Sequence, residues 1–213
     1  IAKLALAIGA DYVMMVDSDV TVPHDALVNM ISHDVDVCSG FYMHRDSSTN
    51  AVTDRTCICK LRRPDGWFYF DYPAESEWTA DELREKRDNG EYLIEIHGGG
   101  MGCVLIKTSV FDSVPYPWFK WFDYGNGKGM LSEDLFFCES CRNEGIKVWI
   151  VSDRCFVLVV EYRQGRVVAL CIVACVESSI NTNLQTQDIA FNPKLIVVRE
   201  ECRYQRQRHD ISI

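Results

Sequence analysis

The stretch "DYVMMVDSDVTVP", residues 11–23, carries two aspartates one residue apart directly after an apolar run. The run from Tyr12 to Val16 has the length of one strand, and its continuity is typical of a central, parallel strand buried on both faces. Ligands of open α/β sheets bind at the carboxyl edge of such strands. Asp17 and Asp19 are therefore expected at a ligand-binding edge.

This pair of carboxylates has two possible roles. Side chains at positions i and i+2 of an extended segment point the same way, so both carboxylates can reach one site. They repel each other unless a cation neutralises them, and Mn²⁺ or Mg²⁺ suits a site shared between carboxylates and phosphate. A loop in which the aspartates cap the next helix or form a turn would account for the pair without a ligand.

The neighbouring segments alternate between helix and strand patterns. Residues 1–9 have apolar positions at helical spacing, and Gly9 is placed to end the helix. The segment "TVPHDALVNMIS" predicts a second helix with Pro23 near its first turn. The segment "VDVCSGFYM" predicts a second buried strand. This alternation indicates an α/β layer architecture.

The middle of the chain predicts a hairpin and a helix. Two β-rich runs in residues 56–72 flank the turn signal at 64–66. Thr79 and Glu82 have the spacing of a capping box at a helix start, and Gly90 is placed to end that helix.

The segment "HGGGMGCVLIK", residues 97–107, contains a glycine cluster inside a strand–bend–strand pattern. Gly98, Gly99, Gly100 and Gly102 remove side chains there, which permits unusual backbone angles and lets a ligand approach the main chain. No Gly-Lys-Ser/Thr follows, so the segment is not a Walker P-loop. A bulge or a tight turn accounts for the glycines equally well.

The segment "SEDLFFCESCRNEG", residues 132–145, predicts a helix that begins after Ser132 and precedes the strand "IKVWIV". Glu133 and Asp134 lie in its first turn, where the helix dipole favours acidic residues. The functional alternative is a carboxylate base that takes a proton from an incoming hydroxyl group.

An aromatic segment, residues 116–129, precedes this helix. About half of its rings are expected in the core, and the rest could stack on the face of a sugar ring beside a mobile loop that contains Asn126. The aromatic residues are Tyr116, Trp118, Phe119, Trp121, Phe122 and Tyr124.

The composition limits the possible partners. The chain has 213 residues, of which 47% are hydrophobic, and this is enough for one large domain. Its net charge of −9 argues against nucleic acid and anionic membranes, which require a positive surface. No apolar stretch reaches the ~20 residues of a membrane span.

The ten cysteines do not resemble a disulfide framework. Cys103, Cys171 and Cys175 lie in apolar runs, where free thiols behave as small hydrophobic groups. The pairs Cys57/Cys59 and Cys138/Cys141 could bind zinc, but the second pair lies in a helical pattern without a knuckle turn. Reduced thiols are expected, and with them a cytoplasmic location.

The two ends of the chain differ from its middle. Because the chain opens on Ile1 within a helical pattern, we expect that it is a fragment of a longer protein. Beyond about residue 158 the sequence mixes short apolar runs with a basic end, so residues 159–213 are expected to form a β-containing appendage or a tail of unknown role. Within this part, "VVALCIVACV" has the pattern of a buried strand.

Three segments, taken in order, resemble the GT-A glycosyltransferases, especially the family 2-like group. These are "GADYVMMVDSDVTVPHDAL", "GGGMGCVLIKTSVF" and "SEDLFFCESCRNEGIKVWIV". The resemblance covers roughly residues 1–157 and implies a GT-A domain over residues 1–158. It implies a GT-A (Rossmann-like) mixed sheet with flanking helices, whose first N-terminal strand would lie upstream of this chain.

The resemblance also implies an activity. The chain would transfer a sugar, with inversion, from a nucleotide-sugar donor such as a UDP-sugar to a carbohydrate or another hydroxyl acceptor. Asp17 and Asp19 would hold Mn²⁺ or Mg²⁺ against the donor diphosphate. Asp134 would be the general base, with Glu133 beside it.

Gly99 and Gly100 would contact the donor in the same scheme. Two other functions remain open. One is a nucleotidyltransferase that forms nucleotide-sugars with the same metal chemistry. The other is a non-catalytic sugar-binding or scaffold domain of the same fold, which Leu158 favours because it falls where the family often has a third metal ligand.

Overall fold

The computed structural model shows an α/β protein with a mixed sheet and flanking helices, which confirms the predicted fold class. The described residues are 1–17, 20, 22–45, 52–59, 77–123, 125 and 130–152, together with the strands at 167–174 and 196–202.

The strands and helices follow the alternation that the sequence predicts. The strands are β1 (Tyr12–Val16), β2 (Val37–Gly40), β3 (Met43–Arg45), β4 (Val52–Cys59), β5 (Glu77–Thr79), β6 (Leu93–Ile96), β7 (Gly98–Gly99), β8 (Cys103–Lys107), β9 (Phe122–Asp123), β10 (Met130–Leu131), β11 (Val148–Val151), β12 (Val167–Ala174) and β13 (Ile196–Cys202). The helices are α1 (Ala2–Ile8), α2 (Ala26–Ser32), α3 (Ala80–Asp88), α4 (Val110–Ser113) and α5 (Glu133–Asn143).

The main sheet has the order β13-β12-β1-β8-β2-β11-β6. β8 pairs antiparallel with both β1 and β2, whereas β11 pairs parallel with β2. β1, β2 and β11 therefore run in the same direction, and their carboxyl ends lie at one edge of the sheet.

The expectation that β1 lies among parallel neighbours was wrong. β1 is central and mostly buried, as predicted, but it pairs antiparallel with β12 on one side and with β8 on the other. A continuous apolar run reports that both faces are covered, and it does not report the direction of the neighbouring strands. The late strand β8 enters between β1 and β2, which a local pattern cannot predict.

β12 and β13 extend the sheet beyond β1. The register pairs Tyr12 with Ala174 and Val16 with Leu170, and β13 then pairs antiparallel with β12. The strand predicted from "VVALCIVACV" is therefore present. Apart from β12 and β13, the predicted appendage at residues 159–213 lies outside the described residues.

The helix ends follow from local chemistry. Gly9 ends α1 in the left-handed conformation, with φ of 65°, as predicted. α2 begins only at Ala26, whose N–H donates to the carbonyl of Pro23 over 3.1 Å, so Pro23 precedes the helix. Thr79 and Glu82 form the predicted capping box of α3.

The second sheet joins β3, β4 and β5, and β7 pairs with β4. It includes the first strand of the predicted hairpin, while the predicted turn at 64–66 lies outside the described residues. Within the described part of the chain, no helix is long and apolar enough to cross a membrane.

The cysteines whose side chains are described are buried, and none of them forms a disulfide. Burial raises the pKa of Cys103 and of Cys141 to about 12, and it also raises the pKa of Cys38. These groups are neutral thiols packed in the core, and the side chain of Cys138 is buried there as well. The alternative pair Cys57/Cys59 lies in β4, where side chains are not described.

Helix α5 is fixed to the core by Phe137, which is fully buried and stacks on Phe119 with ring centroids 4.7 Å apart. We expect Phe137→Ala to lower the free energy of unfolding by about 3–5 kcal/mol, because it leaves a cavity where a ring was packed. Urea unfolding followed by circular dichroism measures the loss. The control is Phe136→Ala on the same helix, where the ring is only half-buried. An equal loss in both variants would show that Phe137 is not the anchor.

Candidate active site at the carboxyl edge of the sheet

The predicted edge brings Asp17 next to the glycine segment. The backbone N–H of Asp17 donates to the carbonyl of Gly102 over 2.9 Å. The N–H of Gly102 in turn donates to the hydroxyl of Tyr42 over 3.2 Å. One cluster therefore contains Asp17 after β1, Gly102 before β8 and Tyr42 after β2.

Gly102 is favoured by the close approach of its neighbours. A Cβ atom at this position would lie 3.1 Å from Tyr42 Cζ and 3.3 Å from Asp17 Oδ2, which is closer than ordinary contact distances. Gly98, Gly99, Gly100 and Gly102 all lack the left-handed conformation. The missing side chain at Gly102 therefore provides space rather than unusual backbone angles.

The other glycines of the segment have structural contacts. Gly99 is buried in β7, pairs with Ile58, and its carbonyl lies 3.9 Å from Cys138 Sγ. The carbonyl of Gly100 lies 3.3 Å from Ser39 Oγ, which also lies 3.0 Å from the carbonyl of Cys103. Ser39 thus ties the start of β8 to β2. The predicted contact of Gly99 and Gly100 with a donor remains a prediction.

Asp134 reaches this cluster from α5. Its Oδ2 accepts a hydrogen bond from the N–H of Met101 over 3.2 Å. Ser132, rather than Asp134, caps the helix, since its Oγ accepts from the N–H of Leu135 over 3.4 Å. The carboxylate of Asp134 is therefore directed to the glycine segment, and helix capping does not account for it.

The surroundings of Asp134 raise its pKa from 3.8 to about 6. Burial is the largest cause. The hydrogen bond from Met101 acts in the opposite direction, while the negative charges of Glu133 and Asp17 raise the pKa further. The fold thus brings Asp17 and Asp134, which are distant in sequence, into one electrostatic neighbourhood.

Glu133 lies beside Asp134 in the first turn of α5. Its Oε2 is buried and makes no hydrogen bond to any described residue. A buried carboxylate oxygen without a partner is unfavourable, and a nearby cation or a hydrogen-bond donor from a ligand would relieve it.

The donor set fits a hard divalent cation in type. Asp17, Glu133 and Asp134 supply only carboxylate oxygens, the ligands that Mg²⁺ and Mn²⁺ prefer, and their mutual repulsion would fall on binding a cation. Among the described residues, however, no group of three or more His, Cys, Asp or Glu side chains is arranged to hold a metal ion. Asp19 and Leu158 lie outside the described residues.

The aromatic segment divides as predicted between core and surface. Trp118 and Phe119 pack against the core, and Trp118 Nε1 donates to the carbonyls of Phe111 and Val114, each over 3.0 Å. The exposed rings are those of Tyr116, Trp121 and Phe122. Tyr124 and Asn126 lie outside the described residues.

Tyr42 is the residue that the sequence analysis missed. The segment around it was interpreted only as a buried strand. Once β2 is known to run parallel to β1, its carboxyl end must share the edge that holds Asp17. The two residues that follow β2 were therefore candidates for the site, but this depended on the sheet order.

Neither the protein-family models nor the curated proteins contain a match to this chain. Among solved structures, the chain is similar to the crystal structure of A197 from STIV, with a TM-score of 0.37 and 12% sequence identity. The match covers 79% of this chain and 61% of the A197 chain, so the chain spans less than two thirds of A197. This similarity is distant, and the site rests on the chain's own geometry.

We expect Asp134→Asn to stabilise the protein in metal-free buffer above pH 6. Because the pKa of Asp134 is raised in the folded state, ionisation disfavours folding: the effect is absent below the unfolded pKa near 4 and complete above about 6. A shift of roughly two units corresponds to about 3 kcal/mol, and the amide can still accept from Met101. Urea unfolding from pH 4 to 7.5 measures the difference.

The control for this experiment is Glu85→Gln, which removes an exposed carboxylate on α3. Its free energy of unfolding should follow the parent at every pH. A constant difference between Asp134→Asn and the parent across this range would contradict the raised pKa.

Proposed function

We propose that this chain is a metal-dependent glycosyltransferase of the GT-A type that transfers a sugar from a nucleotide-sugar to a hydroxyl acceptor. The observation that carries the proposal is that Asp17 and Asp134 contact adjacent residues of the glycine segment, at Gly102 and Met101, at the carboxyl edge of the sheet. Carboxylates from distant segments lie near one another there despite their repulsion, and a cation with a diphosphate would complete the charge balance.

Asp17 and Asp19 are the residues proposed to hold Mn²⁺ or Mg²⁺. The bound cation would supply Lewis-acid stabilisation of the departing diphosphate. Within the chain itself, the hydrogen bond from Asp17 N–H to Gly102 fixes the backbone at the end of β1, and the absent side chain of Gly102 leaves room for the Asp17 carboxylate.

Asp134 is proposed as the general base. A pKa of about 6 leaves its carboxylate ionised at neutral pH yet more basic than an ordinary aspartate, which suits proton removal from an acceptor hydroxyl. The N–H of Met101 orients the carboxylate through its contact with Oδ2. Glu133 adds negative charge beside it and thereby keeps the base strong.

The proposed donor is a UDP-sugar, and the proposed acceptor is a carbohydrate or another hydroxyl compound. Support for a sugar acceptor comes from the exposed rings of Trp121 and Phe122, which lie in the segment that leads into α5. Phe122 stacks on Phe136, which lies two residues after the proposed base on α5, with ring centroids 6.3 Å apart. Such rings can cover the C–H face of a sugar.

The proposed metal site predicts that Mn²⁺ binding in the presence of UDP is lost in Asp19→Ala and in Asp17→Asn. Each change removes one negative charge from the cation site, and Asp19→Ala also removes the oxygen ligand. Isothermal titration calorimetry of Mn²⁺ into protein with UDP measures the affinity, and we expect a loss of at least about tenfold.

Asp88→Ala is the matched control, because it removes an exposed aspartate on α3 and should bind Mn²⁺ like the parent. Equal affinity for Mn²⁺ in the parent and in both site variants would contradict the proposed metal site. If the parent itself binds neither Mn²⁺ nor UDP, the non-catalytic scaffold becomes the better interpretation.

The proposed base predicts that Asp134→Asn abolishes sugar transfer while UDP-sugar binding stays within a few-fold of the parent. The amide has the shape of the carboxylate but cannot take the proton. Turnover of a panel of UDP-sugars with Mn²⁺ tests transfer, and calorimetry tests donor binding. Transfer within a few-fold of the parent would reassign Asp134 to a structural role. Release of diphosphate from UTP and a sugar phosphate would instead indicate the nucleotidyltransferase.

A further inference from the structure

A second cleft lies at the opposite edge of the main sheet. It has a volume of about 520 Å³, within the range of clefts that bind small molecules. The end of α1, the start of β1 and the end of β8 form its walls together with α4. The polar residues that line it are Asp11, Tyr12, Lys107, Thr108, Ser109 and Asp112.

This cleft is separate from the candidate active site. Asp11 and Asp17 lie at opposite ends of β1, and six residues of extended chain correspond to about 20 Å. Thr108 and Gly102 are separated in the same way along β8. None of the residues that line the cleft belongs to the cluster of Asp17, Gly102 and Asp134.

Thr108 provides the observation that points to a ligand. Its side chain is 6% exposed, and its Oγ1 is buried without a hydrogen bond to any residue in the described part of the chain. Its main chain is satisfied, because its N–H donates to the carbonyl of Asp11 over 2.8 Å and its carbonyl accepts from Phe111. Thr108 also lines the cleft, so a ligand bound there would be placed to supply the partner that its hydroxyl lacks.

The charges around the cleft argue against an anionic ligand. The ammonium of Lys107 lies 3.0 Å from Asp34 Oδ1 and 3.3 Å from Asp36 Oδ1. Its positive charge is therefore balanced by two carboxylates before any ligand binds. The carboxylates of Asp11 and Asp112 add further negative charge to the walls, so a phosphate group would be repelled.

The mixture of donors and acceptors argues against a simple amine. Burial is the largest of the effects that raise the pKa of Tyr12, so its phenol is neutral. The ammonium of Lys107 already donates to Asp34 and Asp36. The phenol of Tyr12 and the hydroxyl groups of Thr108 and Ser109 can still donate hydrogen bonds, whereas Asp11 and Asp112 can only accept them. An amine ligand could donate to the carboxylates but would leave the phenol and hydroxyl donors unused. A ligand with many hydroxyl groups can do both.

We propose that this cleft binds a neutral saccharide, at a site distinct from the one proposed for sugar transfer. Sugar hydroxyls would donate to Asp11 and Asp112 and accept from Tyr12 and Thr108. The side chain of Leu6 gives the same cleft an apolar wall for the C–H face of a ring. The inference stands on the cleft itself and does not require that the chain be an enzyme.

Saturation-transfer NMR with millimolar maltotriose, cellotriose and chitotriose tests the proposal on the whole chain. We expect at least one trisaccharide to bind, and we expect Asp11→Asn to weaken it about tenfold because a charge-assisted hydrogen bond is lost. Thr108→Val should weaken binding about three- to tenfold without lowering Tm, since the valine has the same shape and no hydroxyl to satisfy.

Two controls show whether the sugar binds in this cleft or elsewhere on the chain. Glu85→Gln changes an exposed carboxylate on α3 that does not line the cleft, and it should leave binding unchanged. Saturating UDP and Mn²⁺ added to the parent should also leave it unchanged, because they occupy the proposed transfer site and not the cleft. These two controls distinguish failure of the cleft from failure of the proposed function.

Three results would overturn the saccharide site. One is the absence of saturation transfer from all three sugars to the folded parent. Another is binding that persists equally in Asp11→Asn and Thr108→Val. The third is binding of spermidine or inorganic phosphate, with loss in Asp11→Asn, when no sugar binds, because the ligand would then be a cation or an anion.

Discussion

The close approach at Gly102 is the constraint on which the site depends. β8 enters antiparallel between β1 and β2, and its first residues must pass between the ends of both strands. A Cβ atom between Tyr42 and the Asp17 carboxylate would lie 3.1–3.3 Å from their side chains, so any other residue would require these side chains to shift. The same passage places Met101 N–H opposite Asp134, so the position of one glycine links the ends of both strands to α5.

Local patterns were sufficient for most elements of the fold. The capping box at Thr79, the cap at Ser132 and the left-handed Gly9 depend on a few neighbouring residues, and the sequence predicted each of them. The direction of the strands beside β1 depends instead on pairings with β8 and β12, which lie far along the chain. An apolar run carries no information about such distant partners, so the parallel arrangement was predicted wrongly.

The site was predictable where its chemistry is local. Asp17 follows a recognisable strand, and Asp134 follows a recognisable cap, so each could be named from its own segment. Their proximity, and the role of Tyr42, arise only when the sheet order brings three separate segments to one edge. The role of the glycine cluster could not be predicted from its own segment for the same reason. Gly99 pairs with a strand of the second sheet, whereas Gly102 allows Tyr42 and Asp17 to approach closely.

The electrostatics of this edge and of the opposite edge lead to different expectations for a ligand. At the first edge, Asp134 is buried with Asp17 and Glu133 near it. Ionisation of its carboxyl group therefore lowers the free energy of unfolding. A bound cation would reverse that effect, because the carboxylates that repel one another would then attract a common partner. At the second edge, the charge of Lys107 is already balanced by Asp34 and Asp36, so binding an ion there would relieve no comparable repulsion. What remains unmet there is the hydroxyl of Thr108, and a neutral group that forms a hydrogen bond is sufficient to satisfy it.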